Sequence, residues 1–482
     1  MDNLKSLITE LCKSSVETEW LEFKRNNAEA ELIGRYISAL GNSAALMEKN
    51  YAYVLWGVDN STHDIIGTDF DYRQAKRGNE ELRNWLIHKL TTNAHFEFGD
   101  TIIDGKKVVI LRIQRAVRRT IRFENIEYIR VGSLTKSLKD CPQYEEKLWD
   151  KLRAFKYERL FAKDSVTAEA VIQLLDCQSY FDLKDVPFPS TREGIIHYFL
   201  EDSIVVRQDD GLYSITNLGA ILLAKQLSSF PGIARKGVRI VSYNGKDRTG
   251  SLKDYVSPKG YAAGYNGLID YLKALLPSEE VIRGALRETI IPYPEIALRE
   301  IISNALIHQD LSISGTGPLI ELFSNRIEIT NPGAPLIDTK RFIDNPPRSR
   351  NEQLASIMRQ FRICEELGTG WDKIALACEE INLPAPQIKV YDESTKIVLF
   401  KYIPFADFSM EEKLDVCYMH ACIRWQNNEY ITNSTLRERL KLDSSASTSI
   451  SKLIKEAKNA NLIKPQDENM APKFMKYYPY WG

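Results

Sequence analysis

The chain has 482 residues, a net charge of −1 and 44% hydrophobic residues, which is room for two to four domains with proper cores and too little charge for a global pull toward nucleic acid or membrane. No apolar run approaches the roughly 20 residues that span a bilayer, and the start MDNLKSLITELCKSS mixes charges where a signal peptide is apolar. Seven scattered cysteines (12, 141, 177, 364, 378, 417, 422) fit reduced thiols, so a cytoplasmic protein is expected.

Taken in order, residues 16–24 (VETEWLEFK) set Glu17, Glu19, Glu22 and Lys24 around Trp20, Leu21 and Phe23. If Leu21 and Phe23 belong to a strand, alternation sends Glu22 and Lys24 to the opposite face together. A helix follows, with Leu32, Ile33, Tyr36, Ile37 and Leu40 on one side. YAYVLWGVDN (51–60) reads as a buried strand ending in a glycine turn, and its Asp59 can project beside Glu22. Gathered carboxylates with a lysine suit a divalent cation and phosphodiester cleavage; a solvated, salt-bridged strand end is the other reading. A helix over 79–90 and a strand over 108–113 come next. Residues 106–122 then hold seven cations and no acid. Arg115, Arg118, Arg119, Arg130, Ser133 and Lys136 are phosphate-type donors, or parts of a solvated loop.

Residues 142–164 read as a charged helix and a boundary, and 165–225 as short helices and strands turning at Asp209-Asp210-Gly211. A strand over 237–245 and an amphipathic helix over 264–276 lead to PYPEIALREIISNALIHQD. There Glu300, Asn304 and His308 recur every four residues on one helix face, between apolar neighbours. Beside the glycine loops 314–317 and 367–370, such a carboxylate, amide and imidazole can hold a metal–nucleotide; a solvated stripe is the alternative. LIELFSNRIEITNPG gives two strands around a Ser-Asn-Arg turn. Cys417-Tyr-Met-His-Ala-Cys422 lacks a second half with ligand spacing and reads as a packed helix face.

From about 406 the pattern is helix (408–425), helix (431–442, with Thr432 or Asn433 as N-cap), helix (446–465) and a wing-like tail, a winged helix-turn-helix pattern. Residues 435–482 carry nine Lys/Arg against five Asp/Glu, and serines crowd the entry of the last helix. That suits phosphate contact; dimerisation or protein contact is the other use.

ETEWLEFK, YVLWGVDNSTHDIIGT and EYIRVGSLTK resemble the AlbA-type domain shared with Schlafen proteins, over roughly residues 10–150. That resemblance implies a metal-dependent RNA-cleaving site with Mg2+ or Mn2+ held by Glu17, Glu22 and Asp59, and Lys24 at the family's lysine position. Similar domains occur in DNA-binding regulators. IPYPEIALREIISNALIHQD, ITNPGAPL and RICEELGTGWDKI together resemble the GHKL-type ATP-binding fold. By that resemblance Asn304 holds Mg2+ at the phosphates, Glu300 activates water, and Gly333, Gly368 and Gly370 approach ATP. The chain departs from the family at the adenine-reading Asp-x-Gly box, which is Asn331-Pro332-Gly333 here. The expected fold class is α+β multidomain: an AlbA/Schlafen-like domain (1–150), a helical or winged connector (151–235), a GHKL-like α/β sandwich (236–405) and a winged helix-turn-helix (406–482). The functions implied are a nucleotide-regulated, metal-dependent RNase acting on RNA or tRNA, with anti-phage defence as a setting, or an ATP-binding, DNA-binding transcriptional regulator. Partners expected are nucleic acid, ATP and a second copy of the chain, with no membrane.

Overall fold

The computed structural model describes residues 2–482 apart from 14–17, 118, 155, 209–210, 277–278, 284–285, 291, 347, 365–369 and 472–473. It is a mixed α+β structure whose chain divides into two compact units, Met1–Lys156 with Gln208–Leu212, and Tyr157–Arg207 with Tyr213–Gly482.

In the first unit four strands, β1 (Leu21–Lys24), β2 (Tyr51–Trp56), β3 (Phe96–Ile103) and β4 (Lys106–Gln114), form one sheet in the order β1-β2-β4-β3. β1 runs parallel to β2 with Glu22 opposite Val54. The two-residue turn between β3 and β4 is Asp104-Gly105, both at positive φ, the geometry that Asp-Gly hairpins favour. Alternation divides the side chains as the sequence predicts. Leu21, Phe23, Tyr53 and Leu55 pack with Ile8 and Leu11, whereas Val54 and Trp56 pack with helix α1 (Ala30–Leu46). The GNSAAL segment of α1 carries buried polar groups that hold the next strand, β5 (Ile126–Val131): Asn42 Nδ2 donates to Tyr128 O at 2.9 Å, and Ser43 Oγ accepts from Arg130 N at 2.9 Å. β5 turns through Gly132 into β6 (Leu134–Ser137). Two segments differ from expectation. The helix predicted over 79–90 begins only at Leu82, because Glu80 and Glu81 pair with Lys76 and Arg77 as a short ribbon. The charged helix predicted over 142–164 stops at Ala154, and Phe161–Val166 is a strand. It pairs with Tyr213–Thr216, so a sheet neighbour overrides local helix propensity.

The second unit is built on a six-stranded sheet of β7 (Arg239–Tyr243), β8 (Ser251–Val256), β9 (Leu319–Leu322), β10 (Arg326–Pro332), β11 (Gln387–Tyr391) and β12 (Ser394–Phe400). Its order is β8-β7-β9-β10-β12-β11, with β7 and β9 parallel and the other neighbours antiparallel. Helices α2 (Tyr261–Leu275), α3 (Glu295–His308), α4 (Glu352–Gln360) and α5 (Gly370–Glu380) bury their apolar residues with the sheet's Ile320, Ile327, Ile329 and Leu399 in one core. α6 (Met410–Gln426) starts with a Ser409–Glu412 capping box, which satisfies two orphan donors at once. It is followed by α7 (Asn433–Arg439), capped by Thr432, by α8 (Ser447–Asn459), and by a ribbon of β13 (Ile463–Pro465) with β14 (Tyr477–Pro479). Cys417 and Cys422 are buried in helix packing, and the described residues contain no His/Cys/Asp/Glu cluster fit to hold a metal. No described helix is long and apolar enough to cross a membrane.

Candidate nucleotide and nucleic-acid sites

The strand alternation that buries Leu21 and Phe23 on one side puts Glu22 and Lys24 on the other. Lys24 Nζ lies 2.5 Å from Glu22 Oε1, and Arg130 reaches the second oxygen, Oε2, at 2.5 Å. Arg130 is only 2% exposed, and its Nη1 donates to Thr135 Oγ1 at 3.3 Å. It was expected among the phosphate-type donors; the structure instead spends its guanidinium on Glu22. The physical reason is desolvation: two buried opposite charges persist only when they satisfy one another. Asp59 has a different set of partners. It sits past the turn at Gly57, bonded to Arg25, and accepts from Ser61 N at 2.8 Å and Thr62 N at 3.0 Å. The N–H groups of Thr62 and Ser61, with Arg25, draw its carboxyl down to about 2, so it is ionised at neutral pH. Glu22, Lys24 and Arg130 are thus brought together, and Asp59 is held separately by Arg25. Glu17 lies outside the described residues.

Among the remaining basic candidates, Ser133 and Lys136 are exposed on the β5–β6 hairpin, and Arg119 is exposed. Arg115 is half-buried, with its guanidinium on Ala45 O at 3.2 Å. Arg118 lies outside the described residues. Arg119 and Arg122 share a groove with Lys89, Thr91 and Asn93.

The second unit holds a cavity of about 170 Å³ beside α3, lined by Glu300, Asn304 and His308 in the predicted four-residue rhythm. It is closed by Asn331 and Gly333 at the end of β10, by Thr395 and Ile397 of β12, and by Gly370 and Trp371 at the start of α5. Asn304 Nδ2 donates to Glu300 Oε1 at 3.1 Å, which leaves the Asn304 carbonyl oxygen for a hard cation. Gly370 is required where it stands: a Cβ there would fall 2.0 Å from Glu300 Oε1. Gly333 adopts φ +104°, and a Cβ there would meet Asp310 Cβ at 2.9 Å. Its carbonyl accepts from Thr395 Oγ1 at 2.7 Å. Burial, with the nearby Arg350 charge, pushes His308 below the usual imidazole range, so it is neutral. Gly368 lies outside the described residues.

Sequence reasoning missed Arg348, Ser349, Arg350, Trp371 and Thr395, all of which line this cavity. Arg350 bridges two walls, donating to His308 O at 3.2 Å and to Ala334 O. Two arginines in the Pro346-Pro347-Arg348-Ser349-Arg350 run, downstream of the Asn-Pro-Gly turn, were the available signal. Thr395 had none, because only strand pairing sets it beside Asn331. The fit to a magnesium–nucleotide is good in donor chemistry: an amide and a carboxylate at one end, apolar Ile307, Pro335 and Trp371 as walls, and arginine nearby.

Two stretches of the chain match known families. Residues 17–139 match the family described as "Schlafen, AlbA_2". Residues 315–399 match the family described as "Putative ATP-dependent DNA helicase recG C-terminal". The second match includes Asn331, Gly333, Gly370 and Thr395 and begins after α3. No curated protein matches the chain. Among solved structures, the DIP2311 protein from Corynebacterium diphtheriae aligns over 99% of this chain and 98% of its own, at 15% identity and a TM-score of 0.43. The chain therefore carries a Schlafen/AlbA_2 domain near its start and an ATPase-type domain in its second half.

Proposed function

We propose that this protein, with its Schlafen/AlbA_2 and ATPase-type domains, binds a magnesium–nucleotide in the α3 cavity and uses it to control action on nucleic acid. The convergence of Glu300, Asn304, Gly333 and Gly370 on one cavity carries this reading. Asn304 would hold Mg2+ through its carbonyl oxygen, and the metal would neutralise phosphate charge there. Glu300, accepting from Asn304, orients that amide and offers a carboxylate to a water. The test is calorimetric titration with Mg–ATP. Asn304→Ala should weaken binding at least tenfold, and equal affinity in the two proteins rejects the assignment.

Action on nucleic acid is assigned first to binding. α7, α8 and the β13–β14 ribbon are read as a winged helix-turn-helix. Thr448, Ser449, Ser451, Lys452, Lys455 and Lys458 are all exposed on α8, a polar, cationic surface suited to phosphates. A link to the cavity runs through α5. Its first residue, Gly370, abuts Glu300, while Glu379 near its end meets Arg439 of α7 at 3.1 Å and His420 of α6 at 2.9 Å. Retention of one duplex over others, lost on removing residues 406–482, supports this reading. Absence of any duplex preference at physiological salt counts against it.

RNA cleavage is the second reading, favoured by Lys24 beside Glu22 and by the ionised Asp59. Mg2+ or Mn2+ would be shared by Glu17, Glu22 and Asp59, with Arg115, Arg118, Arg119, Ser133 and Lys136 along the strand. Labelled tRNA left equally intact by wild type and Glu22→Gln ends that idea. Self-association belongs with the winged-helix reading and is tested by light scattering.

A further inference from the structure

The α3 cavity takes an amide from the sheet as well as one from the helix. Asn331, on β10, is 6% exposed and lines the cavity. Its side-chain amide makes no hydrogen bond among the described residues, so its N–H donor and carbonyl acceptor are open to a ligand in the cavity. Its strand partner Thr395 faces the same space and gives its hydroxyl proton to Gly333 O at 2.7 Å, which leaves the oxygen's lone pairs. Both groups sit near His308, since Arg350 joins His308 O to Ala334 O just after Gly333. Glu300 and Gly370 form the other end, and eight helical residues separate Glu300 from His308, about 12 Å along the axis at 1.5 Å per residue. The cavity therefore has a cation-and-phosphate end and a second end with apolar walls, Ile307, Ala334 and Pro335, around an amide.

Charge at that second end is decisive for what it can hold. Glu300 is the one carboxylate among the described lining residues, and it belongs to the Gly370 end. A carboxylate facing position 6 of a purine accepts only, and so demands an amino group at that position. An amide carries both an N–H donor and a carbonyl acceptor and can turn either toward the ring. Adenine offers N6–H donors and guanine an O6 acceptor at the corresponding position. We infer that Asn331 makes this a purine pocket that takes a 6-oxo base as readily as a 6-amino base, so that guanine nucleotides are ligands alongside adenine nucleotides.

The inference rests on the nucleotide-binding reading above and adds the identity of the base. It is tested on the full chain by calorimetry with Mg–ATP and Mg–GTP. Wild type should bind the two within tenfold of one another. Asn331→Asp should weaken GTP at least tenfold more than ATP, because a carboxylate meets O6 with two acceptors and no donor. Asn331→Ser keeps a donor and should leave the ratio near that of wild type, which guards against a misfolded Asn331→Asp. A wild type that favours ATP more than tenfold overturns the inference, as does an Asn331→Asp ratio equal to that of wild type. Failure of wild type to bind either nucleotide overturns the nucleotide-binding reading itself, so the two failures are distinguishable.

Discussion

The Glu22 centre and the α3 cavity both begin with a buried glutamate on a regular element, and they resolve it in opposite ways. Glu22 is closed by the protein's own cations, Lys24 and Arg130. At the cavity, Glu300 takes an amide N–H from Asn304, Gly370 keeps its place clear, and Asn331 faces the space without a partner among the described residues. A buried charge answered internally stabilises a fold, whereas polar groups turned toward a void need something to fill it. The same residue type thus says little about function until its partners are known.

The largest effect should come from breaking the closed centre. Arg130→Met strands Glu22 with Lys24 alone, and removing one partner of a buried pair costs about 3–5 kcal/mol. The unfolding transition of the first unit should drop accordingly in urea, and adding Glu22→Gln should recover at least half of the loss. A drop below about 1 kcal/mol would mean that the pair is not holding the sheet to β5.

The open site should respond in binding rather than in folding. Gly370→Ala forces the Glu300 carboxylate to move, so Mg–nucleotide affinity should fall at least tenfold, about 1.4 kcal/mol, with the melting transition little changed. An unaltered affinity would show that Glu300 is remote from the ligand.

A smaller effect is expected at Asp59. Its folded pKa of about 2 lies below its ordinary 3.8, so the unfolded chain binds the proton more tightly. The stabilising contribution is complete above about pH 4 and is lost as pH falls through about 2. Asp59→Asn should flatten the stability profile across that window, and an identical profile removes the Arg25 and turn contacts from the account.

Smallest of all, Lys452→Gln on the exposed face of α8 should lower the salt slope of duplex binding by about one, the value of one phosphate contact. No change in slope places that face away from the nucleic acid.

Much of this architecture was legible in the sequence. Period-two alternation in LEFK and YAYVLW sorted Leu21 and Phe23 from Glu22, because a pleated strand leaves no other choice. The four-residue recurrence of Glu300, Asn304 and His308 put all three on one helix face, and the structure lines one cavity with them. Thr432 marked a helix start through a capping rule that acts within a few residues. What stayed hidden depends on partners distant in the chain. Arg130 read as a phosphate donor because its partner Glu22 is more than a hundred residues away, and a charge's role follows from what neutralises it. Phe161–Val166 read as helix until Tyr213–Thr216 supplied its hydrogen bonds. Thr395 acquired a role only by pairing with Asn331 across two strands. The sequence by itself determined periodicity, turns and caps, which are local. Only the tertiary structure decided which polar groups were satisfied and which were left facing a cavity, because burial and pairing are properties of the assembled chain.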